Sequence, residues 1–107
     1  MKYIEFIRYL INPSQLQDFY QENGVDTNSE ALIICLKNTL DLNSEVVIFG
    51  IEETGGRLIF EKNGVRYVEL FSIEDALELM GDFDFKNKGN TNLEIANRLL
   101  EYRINDA

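Results

Sequence analysis

The chain is 107 residues long, with a formal net charge of −9, no His, no Trp, one Cys and one Pro. That length suits one domain (residues 1–107) around one core, and 45% apolar with 27% charged residues is a globular rather than a disordered composition. Without His there is no Ser-His or Cys-His nucleophile pair, no HExxH zinc site and no imidazole base, and a single thiol forms neither an intrachain disulfide nor a CxxC metal or redox site.

In chain order, residues 2–10 fit two periods. Ile4, Phe6 and Leu10 alternate as in a strand, whereas Tyr3, Phe6, Ile7 and Leu10 line one side of a helix, the reading adopted here. Asn12, Pro13 and Gln15 then spell an N-cap, an N1 proline and a capping box, with Ile11 placed to staple onto Leu16. This predicts a helix with Leu16, Phe19 and Tyr20 inward, ending near Asn23 with Gly24 in the left-handed position. Thr27-x-x-Glu30 is a second capping box ahead of Ala31-Leu32-Ile33-Ile34-Cys35-Leu36. That run is apolar nearly all round a helix, so a central buried helix is expected, with a buried strand as the competing reading.

Residues 45–72 are β-rich. Val46–Ile51, Arg57–Phe60 and Val65–Phe71 are separated by Thr54-Gly55-Gly56 and Asn63-Gly64, which predicts a three-stranded antiparallel meander. Two-residue loops would pair Glu61 with Arg66, Phe60 with Tyr67, and Ile51 with Phe60. One face would carry Val47, Phe49, Ile51, Leu58, Phe60, Val65, Tyr67 and Phe71 as the core face. The other would carry Ile48, Ile59, Val68 and Leu70 among Glu52, Arg57, Glu61 and Arg66. Ser72-x-x-Asp75 opens a short helix stopped by Gly81, a polar loop with two aromatics spans residues 82–90, and Thr91-x-x-Glu94 caps a last helix with Leu93, Ala96, Leu99 and Leu100 inward. The expected fold class is α+β: the meander packed with about four to five helices.

Cys35 lies within an apolar run and reads as a buried, inert thiol suited to a reducing cytosol. Glu5 and Arg8 interrupt the first apolar stretch, so no export signal is visible, and apolar runs of about six residues fall far short of a membrane span. A soluble cytoplasmic protein is expected. A pI near 4.4 without a Lys/Arg cluster argues against direct nucleic-acid binding and favours basic protein partners.

Motifs for chemistry are few. Adjacent strand positions would send Glu52 and Glu53 to opposite faces, so they make no carboxylate pair. Asp82-x-Asp84 starts like a calcium loop, but Lys86 replaces an oxygen ligand and the sixth-position glycine is missing. The glycines form neither GxxxxGK[ST] nor GxGxxG, and no cofactor or metal is expected. Charge is uneven: residues 67–85 hold Glu69, Glu74, Asp75, Glu78, Asp82 and Asp84 with no Lys or Arg, and Asp41, Glu45, Glu52 and Glu53 form a second acidic stretch without a base over residues 38–56. These outline an acidic docking surface, with Phe83 and Phe85 as first aromatic anchors and Tyr67 and Tyr102 as others.

Small size, acidity, the missing catalytic set and the hairpin-rich middle, Glu45-Val46-Val47-Ile48-Phe49-Gly50-Ile51, together resemble the bacterial immunity proteins of contact-dependent growth inhibition. These are cytoplasmic partners that neutralise a polymorphic toxin domain. They share no motif across types, so no functional residue carries over. The resemblance implies a non-enzymatic, stoichiometric inhibitor of a cognate toxin, often a nuclease, acting by occlusion of its active site or substrate surface. The partner-binding residues expected here are Glu52, Glu53, Glu69, Asp82 and Asp84 as charge partners and Phe83 and Phe85 as packing anchors. Two alternatives stand: a regulatory adaptor that homodimerises through the sheet face around Ile48, Ile59, Val68 and Leu70, and a metal-dependent enzyme using only carboxylates, which needs acids converging in a pocket that the expected register does not supply.

Overall fold

The computed structural model describes residues 1–106. Helix α1 (Tyr3–Ile11), a 3₁₀ turn (Pro13–Gln15) and α2 (Leu16–Glu22) precede strands β1 (Leu32–Lys37) and β2 (Val46–Gly50). The single-turn α3 (Ile51–Thr54) leads to β3 (Ile59–Lys62) and β4 (Val65–Ser72), and α4 (Ile73–Asp82), α5 (Phe85–Lys88) and α6 (Asn92–Asp106) complete the chain. The strands form one four-stranded antiparallel sheet in the order β2-β1-β4-β3. The α+β class therefore stands, with four strands in place of the expected three.

The additional strand is the expected central helix. Leu32 to Lys37 forms β1, the inner strand between β2 and β4, and its run from Leu32 to Leu36 is apolar on both faces because both faces are buried. The Thr27-x-x-Glu30 box caps nothing, and Asn38, at φ 71, turns the chain out of the strand. The expected meander is likewise corrected. The Asn63-Gly64 hairpin forms with Glu61 opposite Arg66 and Phe60 opposite Tyr67. The first hairpin does not: Gly55 ends α3 in the left-handed conformation, and β2 pairs with β1, so Ile51 has no ladder partner in β3.

The alternation along the strands was readable, but the helices pack on the other face. Ile34, Leu36, Val46, Ile48 and Leu70 join Tyr3, Phe6, Leu10, Leu16 and Phe19 and the inward side of α6 in the main core. On the opposite face Ile33, Cys35, Phe49 and Phe60 form a smaller cluster, flanked by Ala31, Val47, Ile51 and Tyr67. β2 and β3 are the two rims of the sheet, roughly 14 Å apart were it flat. Yet the rings of Phe49 and Phe60 lie 5.3 Å apart, with Tyr67 4.9 Å from Phe49. The sheet is rolled, and this closes the second cluster without a covering long helix.

Local signals at the helix ends vary in outcome. Residues 3–11 are helical, and Glu5 accepts from the Lys2 backbone N–H at 2.8 Å. Asn12 makes no side-chain cap; its carbonyl accepts from Gln15 N in the 3₁₀ turn. Ser72 Oγ accepts from Asp75 N at 3.0 Å, and Thr91 and Glu94 form a reciprocal box at 3.2 and 3.0 Å. α4 runs past Gly81 to Asp82. In α6 the inward stripe is Ile95, Ala96, Leu99 and Leu100, whereas Leu93 is 51% exposed.

Candidate partner-binding site

The end of α4, the α5 turn and the outer side of α6 enclose a shallow groove. One depression of about 570 Å³ is lined by Asp82, Phe83, Phe85, Asn90, Glu94, Arg98 and Glu101, with Lys88 at its side. A second, of about 330 Å³, shares Asp82 and continues over Phe71, Asp75, Glu78, Leu79 and Tyr102. The aromatic rings form a line beneath both: Phe85 to Phe83 at 5.3 Å, Phe83 to Tyr102 at 5.8 Å, and Tyr102 to Phe71 at 6.1 Å. Asp75, Glu78, Asp82, Glu94 and Glu101 stand around that line, while the cations among the lining residues are Lys88 and Arg98.

Local chemistry explains this arrangement. Asp84 takes a positive φ of 54°, which separates α4 from α5 and brings Phe83 and Phe85 edge to face. Glu94 is fixed by its cap; Thr91 N–H and Oγ donate to it and hold its carboxyl below the usual glutamate range. Arg98 lies one helical turn on, its guanidinium 4.9 Å from the Phe83 centroid and 3.9 Å from Glu101. The Phe83 ring therefore already receives a cation.

The expected site residues divide between places. Asp82, Phe83, Asp84 and Phe85 come together at the α4–α5 junction. Phe85 is 5% exposed and packs in the main core, so it supports the floor, and the partly buried Phe83 is the ring within reach of a partner. Glu69 sits on β4, where its carbonyl accepts from Arg103 Nε at 3.1 Å. Burial pushes its carboxyl above the usual range, Arg103 opposes this and Asp75 adds to it, which links Glu69 to the Asp75 end of the groove. Glu52 and Glu53 lie on α3 and line a different depression with Asp26 and Lys62. Glu52 is 2.9 Å from Ser29 Oγ, and Glu53 is 3.7 Å from Lys62 Nζ.

Glu94, Arg98 and Glu101 were not among the expected site residues. They follow one another at helical spacing with Tyr102, a pattern that in sequence reads as an ordinary solvent face. The expected adaptor face is corrected: Ile48, Val68 and Leu70 are buried, and of that set Ile59 alone is exposed. Among the described residues no group of three or more His, Cys, Asp or Glu could hold a metal ion, and no helix is long and apolar enough to cross a membrane. Comparison with family models, with curated proteins and with solved structures finds no match to this chain.

Proposed function

We propose that the chain is an immunity-type inhibitor that binds a cognate toxin domain, a nuclease, through the α4–α6 groove and occludes its active site or substrate surface. The observation that carries this reading is the line of Phe71, Tyr102 and Phe83 beneath the carboxylates of Asp75, Glu78, Asp82, Glu94 and Glu101. A nuclease surface is electropositive because it binds phosphates, and an acidic rim presents a substitute for that charge. Arg or Lys side chains of the toxin would pair with the rim carboxylates while lying against the aromatic line, as the Arg98 guanidinium lies over Phe83 beside Glu101. In this reading the protein performs no chemistry; it acts in one-to-one complex, and the rim acids accelerate encounter.

Coexpression with the polypeptide encoded immediately upstream, followed by copurification and calorimetry at low and moderate salt, tests the reading. The expected result is a tight one-to-one complex that abolishes toxicity and weakens as salt rises. Glu78→Lys together with Asp82→Lys should reduce affinity about 10- to 100-fold, mainly through slower association. Glu52→Lys with Glu53→Lys should leave binding at moderate salt within about twofold, because neither residue lines the groove and exposed charges are screened by salt. The opposite ranking of the two pairs would move the interface to α3, and no complex with any neighbouring gene product would remove the inhibitor reading.

A further inference from the structure

The two rims of the sheet are finished differently. Along β2, the Val46 N–H donates to the Met1 carbonyl at 2.9 Å and Lys2 bridges Glu45, so the N-terminal segment covers part of that rim. Along β3 the two-residue turn has Asn63 at φ 54 and Gly64 at φ 79, which makes Lys62 and Val65 the closing hydrogen-bonded pair. The backbone groups of Lys62 and Phe60 then point to β4, as does the Leu58 carbonyl, which accepts from Glu69 N at 2.8 Å. Those of Ile59 and Glu61 point outward, and among the described residues no backbone hydrogen bond outside the β3–β4 ladder reaches them. The same stretch carries two adjacent exposed aliphatics, Leu58 at 53% and Ile59 at 51%. An open rim with apolar side chains is a template for another strand.

We propose that β3 pairs antiparallel with β3 of a second copy about a two-fold axis at Ile59, joining the two sheets into one. The register follows from the outward groups and the charges. With the axis on Ile59, the Ile59 residues of the two copies form a hydrogen-bonded pair, and Arg57 of each copy faces Glu61 of the other. An axis on Glu61 would oppose two carboxylates, and an axis on Phe60 would set Ile59 against Glu61 and Arg57 against Asn63. Of the three, only the first sets Arg57 and Glu61, the charged residues among the outward-pointing positions, opposite one another. Arg57 N–H already donates to the Thr54 carbonyl at 3.2 Å, so its carbonyl alone is used, accepting from Glu61 N–H of the second copy. On the opposite face Leu58 of one copy meets Phe60 of the other and extends the cluster of Phe49, Phe60 and Tyr67.

Sedimentation equilibrium of the full chain over a concentration series tests this, with circular dichroism to verify that each variant is folded. The wild type is expected to show a reversible monomer–dimer equilibrium. Arg57→Glu gives a rim with two acids and Glu61→Arg a rim with two bases, so each variant alone should self-associate at least about tenfold more weakly. An equimolar mixture of the two should regain the dimer, since every opposed pair is then complementary. A wild type that stays monomeric throughout, a dimer unaffected by Arg57→Glu, or a mixture that remains monomeric would each overturn the proposal. A monomeric wild type whose capture of the toxin is lost on Ile59→Lys would assign the rim to a foreign strand instead, which also overturns it. None of these variants touches the α4–α6 groove, so the outcome is separate from that of the inhibitor reading.

Discussion

Gly50 closes β2 at a point where space, not backbone conformation, is limiting. Its φ of −71° is open to any residue, but a Cβ there would lie 2.7 Å from Ser29 Oγ and 2.9 Å from Ser29 Cβ. Gly50→Ala should therefore cost about 1–3 kcal/mol, read as a lower urea midpoint, and Ser29→Gly in the same chain should recover most of the loss. At the other end of the molecule the buried Tyr3 hydroxyl donates to the Ala96 carbonyl at 2.9 Å, and burial holds its phenol well above the usual range. Tyr3→Phe removes that hydrogen bond from a carbonyl inside α6 and should cost about 0.5–1.5 kcal/mol, with an unchanged fold by circular dichroism. Neither contact is legible in the sequence, because each joins residues that only the finished topology brings together. What was legible at this scale was local: Cys35 as a buried thiol, now pushed up to about 12 by burial first and by Glu69 second, follows from its apolar neighbours alone.

At the scale of elements, the carboxylates of Glu94 and Glu69 act on stability on opposite sides of the ordinary glutamate pKa of 4.5. The cap holds the folded-state pKa of Glu94 low, so its contribution is present above 4.5 and is lost as pH falls through the lowered value. Burial raises that of Glu69, so its contribution is present below 4.5 and is lost as pH rises through the raised value. Urea midpoints across the acid range should therefore rise less steeply below pH 4.5 in Glu94→Gln, and decline less above it in Glu69→Gln. The caps were readable, since Ser72-x-x-Asp75 and Thr91-x-x-Glu94 are complete within one turn, whereas the burial of Glu69 was not. β1 was not, because a strand buried on both faces and a helix buried all round present the same apolar run. The Gly55-Gly56 pair failed as a hairpin signal for a related reason: it serves equally to end a helical turn. The groove was half legible; Asp75, Glu78, Asp82 and Phe83 come from one segment, whereas the wall from α6, with Glu94 and Glu101, depends on how that helix packs.

For the molecule as a whole, the rolled sheet reconciles two readings that the strand pattern alone set against each other. Phe49 and Phe60 do belong to one apolar face with Tyr67, but they meet across the curl of the sheet and not across a ladder. Both faces can then be apolar, the helices taking the larger core and the curled rims the smaller. The packing of α1 on α6 acts on a different axis, that of time. Tyr3, Phe6 and Ile7 are covered in part by Ala96 and Leu99, which are made some ninety residues later. Until residues beyond 91 emerge, the nascent chain exposes that apolar stripe, so a chain ended at Gly89 should bind a hydrophobic dye that the full chain excludes. The core cannot close before α6 has been made, and through that interval the apolar side of α1 stands in need of shelter.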